Sequence, residues 1–219
     1  MLVLSPALIM GVYLGARDPH WRQWIGGAVF GSAVTLWAWV RDTPPYYVEN
    51  WQRGYEGESR TAEALTSLAG GWRIWHDVPA ANGNYDHIVL GPGGLFVLDS
   101  KYLRGELRIG PKGPVVHRSL DDDAKLELRG MAPQLKARAG ALSAYLRETT
   151  RFTEYVHAVV VTWSSFPQGE VAHDRCSYLA GAELVEWLRH QPQRFAPSHL
   201  VLLARAIHDL SALQAADAA

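Results

Sequence analysis

Two runs of large apolar residues, Ile88-Val89-Leu90 and Leu95-Phe96-Val97-Leu98, flank Gly91-Pro92-Gly93-Gly94, and no other stretch limits the fold as tightly. Uninterrupted apolar runs mark strands covered on both faces, and the glycine-proline turn between them predicts a hairpin. Charge appears where such strands end: Asp86 precedes the first run, and Asp99-Ser100-Lys101 closes the second. Side chains alternate along a strand, so Leu95, Val97, Asp99 and Lys101 share one face, and Asp86 lies in line with Ile88 and Leu90. Paired across the turn, Asp86 and Asp99 become neighbours at the strand ends away from it.

An acid and a base two residues apart on one face can reach a single phosphate or a single metal-bound water. Magnesium is a hard ion that takes oxygen ligands and keeps several waters, so two carboxylates and a carbonyl suffice from the protein. A lysine beside it would position the attacking water or stabilise charge on the phosphate. The same tripeptide is more often a solvated salt bridge, and on its own it favours that reading; the flanking chain changes the balance.

The flanking chain supplies further elements. A helix is expected from about Tyr47 to Ala69, with Glu56, Glu58 and Glu63 on it, then a strand from about Arg73 to Val78. Gly105–Ile109 and Pro114–His117 read as strands around a turn, Gly110-Pro111-Lys112-Gly113. Pro133 suits the first turn of a helix running to about Glu148, with Leu135, Ala139, Leu142 and Leu146 as its apolar stripe. Lys136 and Arg147 fall nearly in register on a neighbouring face. Tyr155–Thr162 reads as a second buried strand, parallel to a neighbour reached through the preceding helix, which makes the sheet mixed. Helices at about 182–190 and 197–213 close the chain. Asp121-Asp122-Asp123 is expected to be a solvated loop, because three consecutive carboxylates cannot face one ion. His87 points away from the face of Asp86, so a structural hydrogen bond is its expected role.

The ordered set Gly57-Glu58 on a helix, Tyr85-Asp86-His87-Ile88-Val89-Leu90-Gly91-Pro92-Gly93-Gly94-Leu95-Phe96-Val97-Leu98-Asp99-Ser100-Lys101, then Gly105, resembles the nuclease-related domain (NERD) family of the PD-(D/E)xK superfamily. The resemblance runs from about Gly54 to Leu213. It implies an α/β fold with a restriction-endonuclease-like core, a mixed central sheet flanked by helices. It makes Glu58 the helix acid, Asp86 the metal-ligating aspartate, Asp99 the second acidic ligand and Lys101 the catalytic lysine. The Ser100 carbonyl joins the metal ligands, and the implied cofactor is Mg²⁺ or Mn²⁺. The family more often carries Glu where this chain has Asp99, and the superfamily uses either. Met131-Ala132-Pro133-Gln134 resembles the segment where the family has a proline followed by a glutamine, which makes Gln134, with Lys136 and Arg147, a candidate for touching substrate. The implied substrate is nucleic acid, DNA ahead of RNA, and the implied activity is phosphodiester hydrolysis. A family member that keeps the fold and only binds is the alternative.

At 219 residues the chain has room for one ordinary domain and an appendage, and its formal net charge of −1 announces no global field for a polyanion. A local basic groove and a bound cation can still serve a nuclease. The single cysteine, Cys176, excludes an internal disulfide and a thiolate zinc site.

The N-terminus differs in composition. Met1–Ala16 carries no charged side chain, and Trp24–Val40 is a second uncharged run rich in Gly, Ala, Val and Trp, separated from the first by a short polar turn. The second run rises about 25 Å as a helix, against a bilayer core of roughly 30 Å. Trp21 and Trp24 at one end, with Trp37, Trp39, Tyr46 and Tyr47 at the other, fall where an aromatic belt would lie. The expectation is a transmembrane helical hairpin over 1–41, then a linker and helix start over 42–53, then the nuclease-like domain over 54–213. The basic residues following the second run tilt that domain toward the cytoplasmic side of the cell membrane. A pair of buried core helices on a cytoplasmic protein is the alternative. A signal peptide is not expected, since the leading segment lacks Lys and Arg and a second apolar run follows.

Overall fold

The computed structural model describes residues 21–42, 46–68, 70–80, 83–103, 105–117, 125–128 and 130–217. The chain divides into two compact units, Met1–Trp51 and Gln52–Ala219. In the first, helix α1 spans Trp21–Asp42. Helix α2, Tyr46–Leu65, starts in the first unit and gives its remaining turns to the second.

The second arm of the expected hairpin is therefore a helix, but not a membrane span. Among the described residues no helix is long and apolar enough to cross a membrane. The reason lies in composition: four Trp and three Gly, with Ser32 and Thr35, are spread through α1 and lower its hydropathy although it lacks charge between Trp24 and Val40. The first arm, the linker prolines at 44 and 45, and Asp121-Asp122-Asp123 lie outside the described residues.

The second unit is built on a six-stranded mixed sheet of order β1-β2-β3-β7-β9-β8. Its strands are β1 (Arg73–Ala80), β2 (Gly83–Gly91), β3 (Gly94–Lys101), β7 (Val156–Thr162), β8 (Glu170–His173) and β9 (Cys176–Ala180). The first three form an antiparallel meander; β3, β7 and β9 run parallel, and β8 returns antiparallel. A smaller antiparallel sheet holds β4 (Glu106–Gly110), β5 (Gly113–His117) and β6 (Lys125–Glu127). Gln168 ties it to the β7–β8 loop by bonding both backbone groups of Ile109, at 2.6 and 3.1 Å.

Helices cover both faces of the main sheet, so its central strands are apolar throughout. On one face, α3 (Met131–Thr150) lays Leu135, Ala139, Leu142 and Leu146 over Leu95, Val97 and Val160, and α5 (Pro197–Asp217) adds Leu203 and Ile207. The expected stripe of α3 is the buried one. On the other face, Leu65 of α2 and Leu184 and Leu188 of α4 (Leu184–Arg189) meet Val89, Phe96, Leu98 and Val159. The hairpin turn is held tightly: a Cβ at Gly91 would stand 2.1 Å from the Trp72 ring, and the Pro92 carbonyl accepts the Arg194 and Phe195 amides at 2.8 and 3.1 Å.

Candidate active site

The β2–β3 ladder is in register from Gly91↔Gly94 to His87↔Leu98, which brings Asp86 and Asp99 side by side just beyond its last pair. There the Asp86 carboxylate takes the acceptor's role: the Ser100 amide donates to its Oδ2 at 2.9 Å. Alternation puts Asp99 and Lys101 on one face, and Lys101 Nζ donates to Asp99 Oδ2 at 2.8 Å. Asp99 is only 8% exposed, so its charge sits in a poorly solvated place and its ion pair is stronger than a surface one. Ser100 N–H points toward Asp86 and a strand residue's C=O lies on the same edge as its N–H, so the Ser100 carbonyl faces the carboxylates.

Glu58 reaches this corner from α2. Thr61, one turn further along and fully buried, fixes the helix to the sheet. Its Oγ1 accepts from Ser100 Oγ and from Trp163 Nε1, each at 2.8 Å, and donates to the Gly57 carbonyl at 3.0 Å. One hydroxyl thus uses its donor and both lone pairs. Gly57 makes the approach possible, because a Cβ there would stand 3.3 Å from the Tyr102 amide nitrogen. Glu58, next in sequence, stands beside the strand end.

The charges of these groups act on each other. Burial, then the neighbouring Asp99 carboxylate, push the Asp86 carboxyl up to about 6, against the Ser100 amide and Lys101, with Glu58 adding to the rise. Glu58 is also raised, by burial first, then Asp77; Lys101 pulls it down and Asp99 raises it. Three carboxylates share one ammonium, and their repulsion adds to burial in raising Asp86 and Glu58. The four residues Glu58, Asp86, Asp99 and Lys101 thus converge on one corner.

Asp99 and Lys101 open into a cavity of about 290 Å³ whose far wall is the start of α3, with Gly130, Gln134 and Arg138. The Arg138 guanidinium lies over the β1–β2 turn, where a Cβ at Gly83 would stand 3.1 Å from its Nη2, and its own carbonyl accepts from the Tyr85 hydroxyl at 3.3 Å. Gln134 thus lines the cavity. Lys136 and Arg147 do not. Two residues on from Gln134, Lys136 is rotated to the opposite flank of the buried stripe, where it pairs with Asp174 and lines a larger cavity of about 510 Å³ that contains none of the acids. Arg147 is exposed in the last turn of α3. The cation on the cavity side is Arg138, which the sequence reading passed over. The signal was present, since Arg138 is four residues from Gln134 and shares its face.

Glu56 stands away from this corner, and the histidine lies as expected. Glu56 pairs with Arg60 at 2.6 Å on the exposed side of α2. His87 Nδ1 meets His76 Nδ1 at 2.7 Å on the face away from Asp86, and burial, then His76, push its imidazole down to about 4. Among the described residues no cluster of three or more His, Cys, Asp or Glu side chains is arranged to hold a metal ion. What the corner offers a cation is two carboxylates and a carbonyl.

A family model of the nuclease-related domain matches residues 53–163, just over half of the chain. That stretch contains Glu58, Asp86, Asp99, Lys101, Gln134 and Arg138, and ends at Trp163, before β8, β9, α4 and α5. No curated protein and no solved structure matches the chain.

Proposed function

The chain belongs to the nuclease-related domain family, and on that footing we propose that its Gln52–Ala219 unit is a metal-dependent phosphodiesterase acting on nucleic acid. The observation that carries the reading is the Asp86–Asp99 pair at the open end of a buried hairpin, with Lys101 bonded to Asp99. The donor set suits a hard divalent ion. All its atoms are oxygens, and Asp86, raised by burial first and then by the Asp99 carboxylate, is a group whose charged form a cation would stabilise. Magnesium retains several waters, so a third carboxylate is not needed.

Asp86, Asp99 and the Ser100 carbonyl would hold Mg²⁺ or Mn²⁺, with Glu58 orienting a ligating water from the helix side. The bound ion would supply a Lewis acid for a phosphoryl oxygen and lower the pKa of water beside it. The rest of the chemistry belongs to the chain. Asp99 orients Lys101, whose ammonium holds the nucleophilic water or faces the charge that grows on the phosphorane-like transition state. Arg138 and Gln134, across the cavity, hold non-bridging oxygens and keep the phosphate in line. Access to nucleic acid argues for the cytoplasm as the place where this unit works.

The test is a cleavage assay of the purified full chain on end-labelled DNA and RNA, with Mg²⁺, with Mn²⁺ and with EDTA. The proposal expects cleavage of DNA with either ion and none with EDTA. Binding without cleavage under all conditions would leave a scaffold and overturn the enzyme reading.

A further inference from the structure

A second groove lies on the same sheet face as Asp86, at the outer edge of the sheet. Strand β1 and helix α5 enclose about 550 Å³, lined by Trp72, Arg73, Trp75, Val201, Arg205 and His208. The ladder places Arg73 opposite Leu90 and Trp75 opposite Ile88. Asp86 lies two residues beyond Ile88 on that face, so Trp75 is one strand over and two residues along, about 8 Å from Asp86 between backbones. The Trp75 end of the groove therefore lies nearest the acid corner, and Arg73, opposite Leu90, lies further along the strand.

Its chemistry is aromatic and basic. Trp75 packs partly against the core below it, so its indole is held in place; the Trp72 indole turns to the other face of the sheet, against Gly91 and Phe96, and only edges the groove. Among the described residues Trp75 stacks on no other ring, and neither Arg73 nor Arg205 forms an ion pair. No acid lines the groove. Asp77, the acid nearest in sequence, has a left-handed backbone (φ 50°), is bonded by Asn84 at 2.6 Å, and acts on Glu58.

We propose that this groove binds a single strand of nucleic acid, feeding or retaining the segment next to the phosphate in the acid corner. The fixed Trp75 indole offers a platform for an unpaired base, and the unopposed Arg73 and Arg205 guanidinium groups follow the phosphates. A duplex hides its base faces, so the groove favours single-stranded over double-stranded substrate. The choice of a nucleic acid over other polyanions rests on the nuclease reading; the existence of a basic aromatic groove does not.

The test measures binding of fluorescein-labelled single strands, about a dozen nucleotides long, and of the matching duplex, to the full chain in EDTA, where cleavage is suppressed. The wild-type chain should bind the single strand more tightly than the duplex. Arg73→Glu combined with Arg205→Glu, both at exposed positions, should weaken single-strand binding by about tenfold or more and flatten its salt dependence by roughly the 0.7 per lost phosphate contact known for single strands. Trp75→Leu should weaken binding at unchanged salt slope, with circular dichroism confirming the fold. Unchanged affinity in the double variant, or equal affinity for duplex, would overturn the proposal. So would a dimer in light scattering that the double variant dissolves without altering oligonucleotide affinity, because the groove would then be an interface between copies. Oligonucleotide bound in the groove yet left uncut with Mg²⁺ would count against the nuclease reading alone, so the two failures are distinguishable.

Discussion

Ser100 Oγ donates to Thr61 Oγ1 at 2.8 Å, and this bond couples the helix that carries Glu58 to the strand that carries Asp99 and Lys101. Thr61 also accepts from Trp163 Nε1 and is fully buried, so replacing it by Val keeps the shape and strands a hydroxyl and an indole N–H. Thr61→Val should therefore cost about 2–3 kcal/mol of unfolding free energy in urea titrations. Thr61→Ser, which retains the bonds, should cost less than half as much. Activity should fall with Val more than stability alone accounts for, because Glu58 loses its position.

Asp86 gives a stability change of opposite sign. Its carboxyl rises from 3.8 in an ordinary setting to about 6 here, so between those values the folded chain holds a proton that the unfolded chain has released. The stability this confers is complete below about pH 4 and lost as pH rises through 6. Asp86→Asn removes that loss. Without divalent ions the variant should match the wild type near pH 4 and exceed it by about 1–2 kcal/mol above pH 7, the forfeited charge-assisted bond from Ser100 offsetting part of the gain. Thermal melts in EDTA across that range check it, and the same variant should be inactive, as expected where a site is built for chemistry at the expense of stability.

His157 works the other way. Burial first, and then the Arg194 guanidinium, hold its imidazole down at about 4, and Arg194 Nη1 donates to Nε2 at 3.3 Å, which requires that nitrogen to be unprotonated. A depressed folded value gives stability that is present above about pH 6.5 and lost as pH falls toward 4. His157→Phe keeps the ring that stacks on Phe96 at 5.1 Å between centroids. It should flatten the acid limb of the stability profile by about 1–2 kcal/mol, read from urea midpoints between pH 7 and 4.5.

Arg138 faces the cavity rather than an acid, so its loss should show in kinetics. Arg138→Ala is expected to lower kcat/KM for cleavage about 10–100-fold with a change in stability under about 1 kcal/mol. Lys136→Ala, on the other flank of α3, should leave kcat/KM within about twofold. Reversal of that ranking would mean the substrate lies on the other side of the helix.

How far the sequence discloses this molecule depends on which residues answer to local rules. The β2–β3 hairpin and its acids are legible because buried strands leave apolar runs, and charge at their ends stands out. The α3 stripe follows from helical periodicity. Strands β8 and β9 leave little trace: Cys176–Ala180 is five residues of mixed polarity whose place beside β7 is a tertiary matter. In α1, lack of charge stands in for apolarity, although Trp and Gly supply much of the run. Lys136 and Arg147 are suggested by charge and spacing, whereas the face of the helix that meets the cavity selects Arg138. Thr61 has no chemical signature; only its three partners reveal it.

The central claim is that Asp99 and Lys101 act together with a divalent ion on a phosphodiester bond. The most direct measurement is Mg²⁺-dependent cleavage of labelled DNA by the full chain beside Asp99→Asn and Lys101→Ala, with thermal melts run in parallel. The account predicts cleavage by the wild type and a loss of at least about 100-fold in each variant while both remain folded. Cleavage by both folded variants at the wild-type rate would contradict it.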